Sequence, residues 1–366
     1  MKILFLSHEI SRTGAPLYLY HLLKWMKHRK PDLDFDLLVE EQKHRELYND
    51  FSSICKVIIY KELDYYKKLN LIRRSIPEYD LIYANSIASS RLLEIISKRV
   101  NSPVICHVHE SSDVMNNRRI DSMKEIIKTA DYYVAVSKSV YEGIEAFGIE
   151  RKKIRLIHNF LIPFTTVKNH QIRKQLNIPN DAFVVGTLTA NADYNKAPRR
   201  AIEVAKRITN KDIYFVFSGL DKNSRKHTMI RRELSEHGLE KNFIFIEPVD
   251  NPIDYINMFD MYFISSMVES FSLTMLEAGA MKTPVLSFDD NEGPCEILHN
   301  DVTGLLVGST KEAAEVIERS VTDTARLEII SDNFCREIGK HFEINHIGEK
   351  VHDVILNIAS GKPVNK

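Results

Sequence analysis

Apolar runs of four to six residues recur along the chain, each closed by small or polar residues. They lie at 3–7 (ILFLS), 35–39, 57–60, 81–84, 104–110 (VICHVHE), 132–137 (YYVAVS) and 154–159 (IRLIHN). Strands covered on both faces of a parallel sheet read as continuous apolar runs rather than as alternation. Between them, residues 42–50, 63–74 and 87–99 carry helical spacing. Residues 161–170 (LIPFTTVKNH) show no period and read as a linker. The strand-helix alternation then restarts, with strand patterns at 183–188, 213–219, 243–247, 261–264, 285–288 and 304–307. Helices are expected from about 199, over 225–236, over 273–281 and through most of the last 60 residues. Two successive α/β domains with parallel sheets follow, and a length of 366 residues accommodates two.

The stretch with the most chemistry is 264–287 (ISSMVESFSLTMLEAGAMKTPVLS). It reads as a strand end, a small polar loop, a helix that Ser270 or Ser272 could cap, a stop at Pro284 and a further strand. Such a unit puts a loop and a helix N-terminus at the carboxyl end of a parallel strand, where open α/β sheets bind ligands. A helix N-terminus attracts phosphate through its unpaired N–H groups and its dipole. Glu269 lies in the loop and Glu277 in the helix, on either side of that anion position. A nucleotide sugar has the matching order of sugar, diphosphate and ribose.

The segment E-S-F-S-L-T-M-L-E-A-G-A-M-K-T-P-V resembles the E-x7-E segment of the retaining glycosyltransferases of family 4. It keeps Glu269, Phe271, Leu273, Glu277, Ala278, Pro284 and Val285, with Ser270 and Ser272 where that family often has glycine. The resemblance implies the GT-B fold: two Rossmann-like parallel-sheet domains facing across a cleft, with a C-terminal helix returning to the first domain. The implied division is 1–162 for the acceptor side, 163–341 for the nucleotide sugar and 342–366 for the returning helix. It also implies that Glu269 contacts the donor sugar and Glu277 the ribose. Amides near Phe271, Ser272, Leu273 and Thr274 would face the donor phosphates.

Further positions match the family's motifs. Residues 8–15 (HEISRTGA) carry Gly14 and Ala15 where family members place a glycine-rich loop against the donor diphosphate, and Pro16 suits the first turn of the next helix. In 104–110, His107 and His109 are two apart and point to one strand face. His109, followed by Glu110, matches the His that faces the donor sugar. Residues 158–160 (HNF) resemble the family's N-G-V, which makes Asn159 a site candidate, with Phe160 in place of glycine. Residues 186–188 (GTL) resemble G-R-L, and Lys196 matches the lysine that grips the donor phosphates. Thr187 stands in the arginine's place; Arg199, Arg200 or a residue of the other domain could supply the missing cation, or helix N-terminus amides could hold the donor instead. Glu269, His109 and Lys196 are thus the expected catalytic residues. Residues 111–119, ending Asn116-Asn117-Arg118-Arg119, read as an irregular loop where an acceptor could enter.

Composition narrows the alternatives. Formal net charge is zero, which argues against nucleic acid as the main partner. Four scattered cysteines form no CxxC pair, which points to a reducing compartment. The first residues lack a signal peptide's long apolar core, and no run approaches the length of a membrane span. The expected location is the cytoplasm, with a candidate peripheral contact at the inner face of the membrane. Residues 1–162 hold 26 Lys+Arg against 21 Asp+Glu, and Lys24, Lys27, Arg29 and Lys30 cluster beside Trp25 and Met26. Such a cluster suits an anionic membrane surface, or simply a solvated helix end. Only Gly14 is present where a dinucleotide fingerprint would need three glycines, which disfavours a dehydrogenase. The D-x-D spacing at Asp32, Asp34 and Asp36 alternates with apolar residues and reads as a strand face rather than a metal site. No metal or cofactor is expected; the partners expected are a nucleotide sugar donor and a glycan, lipid-linked or protein acceptor. A non-catalytic sugar-nucleotide or glycan-binding protein on the same fold, an inverting transferase and an epimerase remain as alternatives.

Overall fold

The computed structural model describes residues 1–40, 45–97, 101–111, 115, 120–165, 171–190, 192, 195–249 and 251–361. The chain divides into two units: Met1–Ile162 with Glu343–Lys366, and Pro163–Phe342. The loop expected over 111–119 lies almost wholly outside the described residues, as does the second half of the expected linker.

The first unit is built on seven parallel strands: β1 (Lys2–Ser7), β2 (Asp34–Val39), β3 (Lys56–Ile59), β4 (Leu81–Asn85), β5 (Val104–Val108), β6 (Tyr132–Ala135) and β7 (Ile154–Leu156). Their order in the sheet is β3-β2-β1-β4-β5-β6-β7. The second unit has six: β8 (Phe183–Thr187), β9 (Ile213–Ser218), β10 (Phe243–Ile246), β11 (Met261–Ile264), β12 (Val285–Phe288) and β13 (Leu305–Val307), in the order β10-β9-β8-β11-β12-β13. Each strand pattern read from the sequence is a strand here. β4, β5, β8, β11 and β12 are buried along their whole length, so nearly every position had to be apolar or small.

In both sheets the chain runs outward from the first strand and then returns to its other side. The order therefore reverses between β1 and β4, and between β8 and β11. Ligands of open α/β sheets bind at the carboxyl ends of strands flanking such a switch point. The loops that the register brings there are those after β1 and β4 in one unit and after β8 and β11 in the other. The loops after β8 and β11 carry Lys196, Glu269, Phe271 and Ser272, and the helix after the second opens with Leu273 and Thr274.

Two local expectations change. Gly14 and Ala15 sit in the first turn of the helix Gly14–Arg29 rather than in a preceding loop, with Pro16 at the third helical position. Pro lacks only an N–H that has no partner in the first turn, so it is tolerated there. Pro294 likewise stands at the third position of the helix Glu292–Ile297. Finally, Trp25 and Met26 do not face solvent. Trp25 Nε1 donates to Asn345 Oδ1 at 2.9 Å, and its ring lies where a Cβ on Gly348 would come within 2.8 Å. The helix Ile344–Ala359 thus returns to the first unit through a close approach that glycine permits. Lys30 Nζ pairs with Glu349 Oε2 at 2.7 Å at the same seam. The aromatic part of the proposed membrane cluster is spent on this packing.

In β2, Asp34 is exposed and Asp36 accepts from the Tyr79 hydroxyl at 2.6 Å, while Phe35 is buried. The aspartates are the polar face of a strand, as the alternation indicated.

Candidate functional site

In the second unit, three loops meet above the switch point. β11 ends at Ile264, and the loop 265–272 leads into the helix Leu273–Ala280. Ser272 is the N-cap: its hydroxyl accepts from the Met275 N–H at 3.2 Å. By helix geometry the amides of Leu273 and Thr274 have no partner within the helix, an arrangement that suits an anion. Tyr262, on β11, fixes this helix start. Its hydroxyl donates to Leu188 O at 3.1 Å and bonds Thr274 Oγ1 at 2.6 Å, tying the helix to the end of β8.

Glu269 lies beside Lys196. Lys196 Nζ is 2.5 Å from Glu269 Oε2, and Ser266 Oγ donates to the same oxygen at 3.3 Å. The backbone reinforces the pair. Met267 N–H donates to Asn195 O at 2.8 Å, Ser265 Oγ to Lys196 O at 3.1 Å, and Gly293 N–H to Glu269 O at 3.1 Å. Gly293 must be glycine, since a Cβ there would lie 2.3 Å from Glu269 O and 2.6 Å from Ser270 O. The sequence placed Glu269 and Lys196 in one site, and the structure brings them together.

Glu277 is the anomaly of the unit. It is 5 % exposed, and its Oε2 has no hydrogen-bond partner. Burial pushes its carboxyl up from an ordinary 4.5 to about 8. A buried polar atom without a partner costs about 1–3 kcal/mol, so it marks a place where a donor is missing. Asn291 is fully buried as well, with Oδ1 unpartnered and Nδ2 donating to Ser266 O at 3.3 Å.

Phe271 is buried, with its ring 6.2 Å from that of Phe342. Leu273 and Thr274 are half-buried at the helix start. Thr187 is buried and its hydroxyl donates to Phe263 O at 2.6 Å, so it is a sheet residue. Arg200 instead stands near the loop: its guanidinium lies 3.3 Å over the Phe288 ring, pairs with both oxygens of Asp290 and reaches Ser266 O at 3.5 Å. It is a cation held flat beside the Glu269 loop. Tyr262, Asn291 and Asp290 were not found from the sequence; only contacts between separate elements reveal them.

In the first unit, His109 follows β5 and Asn159 follows β7. His109 Nε2 is 3.0 Å from Asn85 Oδ1, and Asn85 Nδ2 donates to Ala15 O at 3.0 Å. One side chain therefore joins His109 to the helix start at Gly14–Ala15. Burial, and then the neighbouring His8, hold the His109 pKa down to about 3, so the ring is neutral near pH 7. His107 stacks on it at 4.3 Å and bonds the Tyr83 hydroxyl through Nδ1 at 2.8 Å. Tyr18 packs edge-on to both histidines and stacks on Phe160 at 4.4 Å. Phe160, which replaces the glycine of the family motif, is thus a core ring. Asn159 is 4 % exposed with Oδ1 unpartnered.

The model of "Glycosyltransferase Family 4" matches residues 12–162, and that of "Glycosyl transferases group 1" matches residues 168–339. The chain belongs to the GT-B glycosyltransferases. Its fold is similar to that of Anabaena Alr3699/HepE, solved in complex with UDP and glucose, with a TM-score of 0.83, 20% identity, and coverage of 98% of this chain and 100% of that one. Among curated relatives, the O-antigen biosynthesis glycosyltransferase WclY of Escherichia coli is 22% identical over 244 residues, 60% of this chain and 64% of that protein. The match thus spans just under two thirds of that relative's length. The capsular polysaccharide biosynthesis glycosyltransferase CapH of Staphylococcus aureus is 22% identical over 308 residues, covering 80% of this chain and 82% of CapH. No helix among the described residues is long and apolar enough to cross a membrane.

Proposed function

We propose that this GT-B chain is an active glycosyltransferase of the retaining family 4 type, which moves a sugar from a nucleoside diphosphate donor to an acceptor hydroxyl. The observation that carries the reading is Glu277. Its buried Oε2 lacks a donor, and it lies in the helix whose capped N-terminus suits a diphosphate. Ribose supplies vicinal hydroxyls that satisfy such a carboxylate, so one nucleotide diphosphate meets both needs. Glu269, held by Lys196 and Ser266, contacts the sugar, and Lys196 shares its charge with the phosphates. Arg200 supplies the cation missing at Thr187. Within the first unit, His109, Gly14, Ala15 and Asn159 are assigned to substrate binding on the family resemblance, and Asn85 joins His109 to Ala15 there.

Negative charge grows on the leaving diphosphate as the glycosidic bond breaks. Preorganised N–H donors and the two cations stabilise it, which is the largest contribution expected in such a site. With those groups in place the reaction proceeds without a divalent metal, and chelation should leave the rate unchanged. The names of WclY and CapH support a place in surface polysaccharide synthesis.

The first test is binding. UDP, as the nucleotide of the HepE complex, should raise the melting temperature with or without magnesium. A ligand at a hundredfold its Kd stabilises by about 2.7 kcal/mol. A folded sample that no nucleoside diphosphate or nucleotide sugar stabilises would move weight to the glycan-binding reading. Product analysis then separates the enzymes: a transferase needs acceptor and keeps the anomeric configuration, whereas an epimerase alters the donor alone.

Peripheral contact with an anionic membrane fits another part of the first unit than Trp25. Tyr65 and Tyr66 are 70% and 81% exposed, and Lys67, Arg73 and Arg74 beside them are exposed too. Exposed aromatic and basic residues together suit the interface of an anionic bilayer. The chain should sediment with phosphatidylglycerol vesicles and not with phosphatidylcholine vesicles. Retained sedimentation of a Tyr65→Ser, Tyr66→Ser variant would rule this surface out.

A further inference from the structure

We propose that the groove between the edge strand β3 and the segment 62–75 binds one anionic phospholipid drawn from the membrane surface. The proposal deepens the membrane contact read from Tyr65 and Tyr66 and rests on it. β3 is the outermost strand of the first sheet and pairs with β2 on one side. Together with the segment that follows, it lines an open cavity of about 590 Å³. Pockets that take specific small ligands commonly measure about 300–1,000 Å³. The lining is divided in character. Val57, Ile59, Leu63 and Leu71 supply aliphatic surface, with Ile59 and Leu71 buried. Lys56 and Lys67 line the same cavity and are exposed. Aliphatic surface suits an acyl chain, and two ammonium groups suit a phosphodiester. Glu62, the acid in the lining, is paired with Arg45.

Charge decides the class of occupant. Residues 56–75 hold six lysines and arginines against two acids, in a chain of zero net charge. A second copy of the chain would bring this positive segment against itself, and like charges brought face to face repel. An anionic occupant is complementary. Tyr66 favours a lipid over an acidic peptide, because it lines the cavity and is 81% exposed. Tyrosine rings settle at the headgroup level of a bilayer. The backbone is unusual at the same place. The helix Tyr65–Asn70 runs on into a π-helical turn, Leu71–Ser75, whose first and last residues both line the cavity. Such turns are rare and frequently lie at functional sites. The groove also extends past the carboxyl end of β3 to Glu62 and Leu63. Gly14 follows the same end of β1, two strands away, or about 10 Å at ordinary strand spacing. A lipid in the groove thus sets that end of the first unit against the bilayer, where a lipid-linked acceptor would be met.

Calorimetric titration of the full chain with dihexanoyl phosphatidylglycerol, below its micelle concentration, tests the groove without a bilayer. One molecule should bind per chain, about tenfold or more tighter than dihexanoyl phosphatidylcholine or glycerol 3-phosphate, and added salt should weaken it. Lys56→Glu with Lys67→Glu should weaken binding by about tenfold or more. Asn70→Trp, at an exposed lining position, should fill the groove and abolish binding. If that variant fails to fold, the charge variant and the comparison of the two lipids decide. A chain that sediments with phosphatidylglycerol vesicles yet binds no monomeric lipid overturns the groove and leaves the surface contact standing. Loss of both results removes both readings. Equal binding of the two lipids overturns the part given to the lysines, and equal binding of glycerol 3-phosphate overturns the part given to the acyl chain. Binding of polyglutamate in place of the lipid would assign the groove to an acidic peptide and overturn the proposal.

Discussion

Replacing Glu269 by alanine should reduce transfer by about 10²- to 10³-fold while leaving the fold intact. The reduction is that expected for removing one preorganised polar group from a site where charge develops. The structural cost should be small. The Glu269 side chain is 11% exposed and its partner Lys196 is 32% exposed, so the freed ammonium can turn to water. The loop itself is held by backbone bonds from Met267 to Asn195 and from Gly293 to Glu269, which the substitution leaves in place. We expect a stability loss of no more than about 1 kcal/mol. Initial rates and a thermal melt on the same sample check both halves. A collapse of the melting temperature alongside the rate would make Glu269 a structural residue and end its assignment to the sugar. Gly293 offers a control of opposite character, because any side chain there strikes the Glu269 backbone.

Replacing Glu277 by glutamine should make stability less dependent on pH. The folded protein holds the Glu277 proton up to about pH 8, whereas the unfolded chain releases it near the ordinary 4.5. Between those values the folded state binds more protons, so stability from this group is complete below about pH 4.5 and falls as pH rises to 8. At about 1.4 kcal/mol per tenfold change, the whole effect is on the order of 5 kcal/mol. Glutamine is neutral throughout. The variant should match the wild type near pH 5 and exceed it in stability at pH 8.5, as read by denaturant melts at both values. An equal difference at the two pH values would show that Glu277 is ionised in the fold. Nucleotide binding should follow the same group. Ribose hydroxyls donate to a carboxylate and favour its charged form, so binding below pH 8 should release a proton and tighten as pH rises. Calorimetry in two buffers of different ionisation enthalpy measures that proton. Glu277→Gln should bind more weakly and release none.

Much of this was legible along the chain because burial on both faces of a parallel sheet leaves a plain trace. β8 and β11 are apolar or small throughout, and their ends could be placed within a residue or two. The loop and helix between β11 and β12 were legible for a related reason. A capping serine, a helix of good formers and a proline stop are local signals, and Glu269 and Glu277 stood out within them. Lys196 was nominated only through the family resemblance, yet it lies against Glu269. Trp25 shows the limit of local reading: beside four cations it looked like a surface anchor, and a helix more than 300 residues away covers it.

The order of strands in each sheet lies beyond such signals, since every strand of a parallel sheet carries the same apolar trace. That order puts the loop after β8 beside the loop after β11, and the turn after β4 beside the start of the first helix. Tyr262 against Thr274, Arg200 over Phe288, and Asn85 between Ala15 and His109 follow from it, because each joins groups from different elements. The sequence by itself determined that the chain folds as two parallel α/β units and where the carboxylates sit in the second. Only the tertiary structure decided that Glu277 is buried without a donor, that Thr187 belongs to the sheet and that Asn85 joins Ala15 to His109. Apolar periodicity is a property of one element and its neighbours in the chain, whereas burial of a charge and the pairing of polar atoms depend on which elements meet.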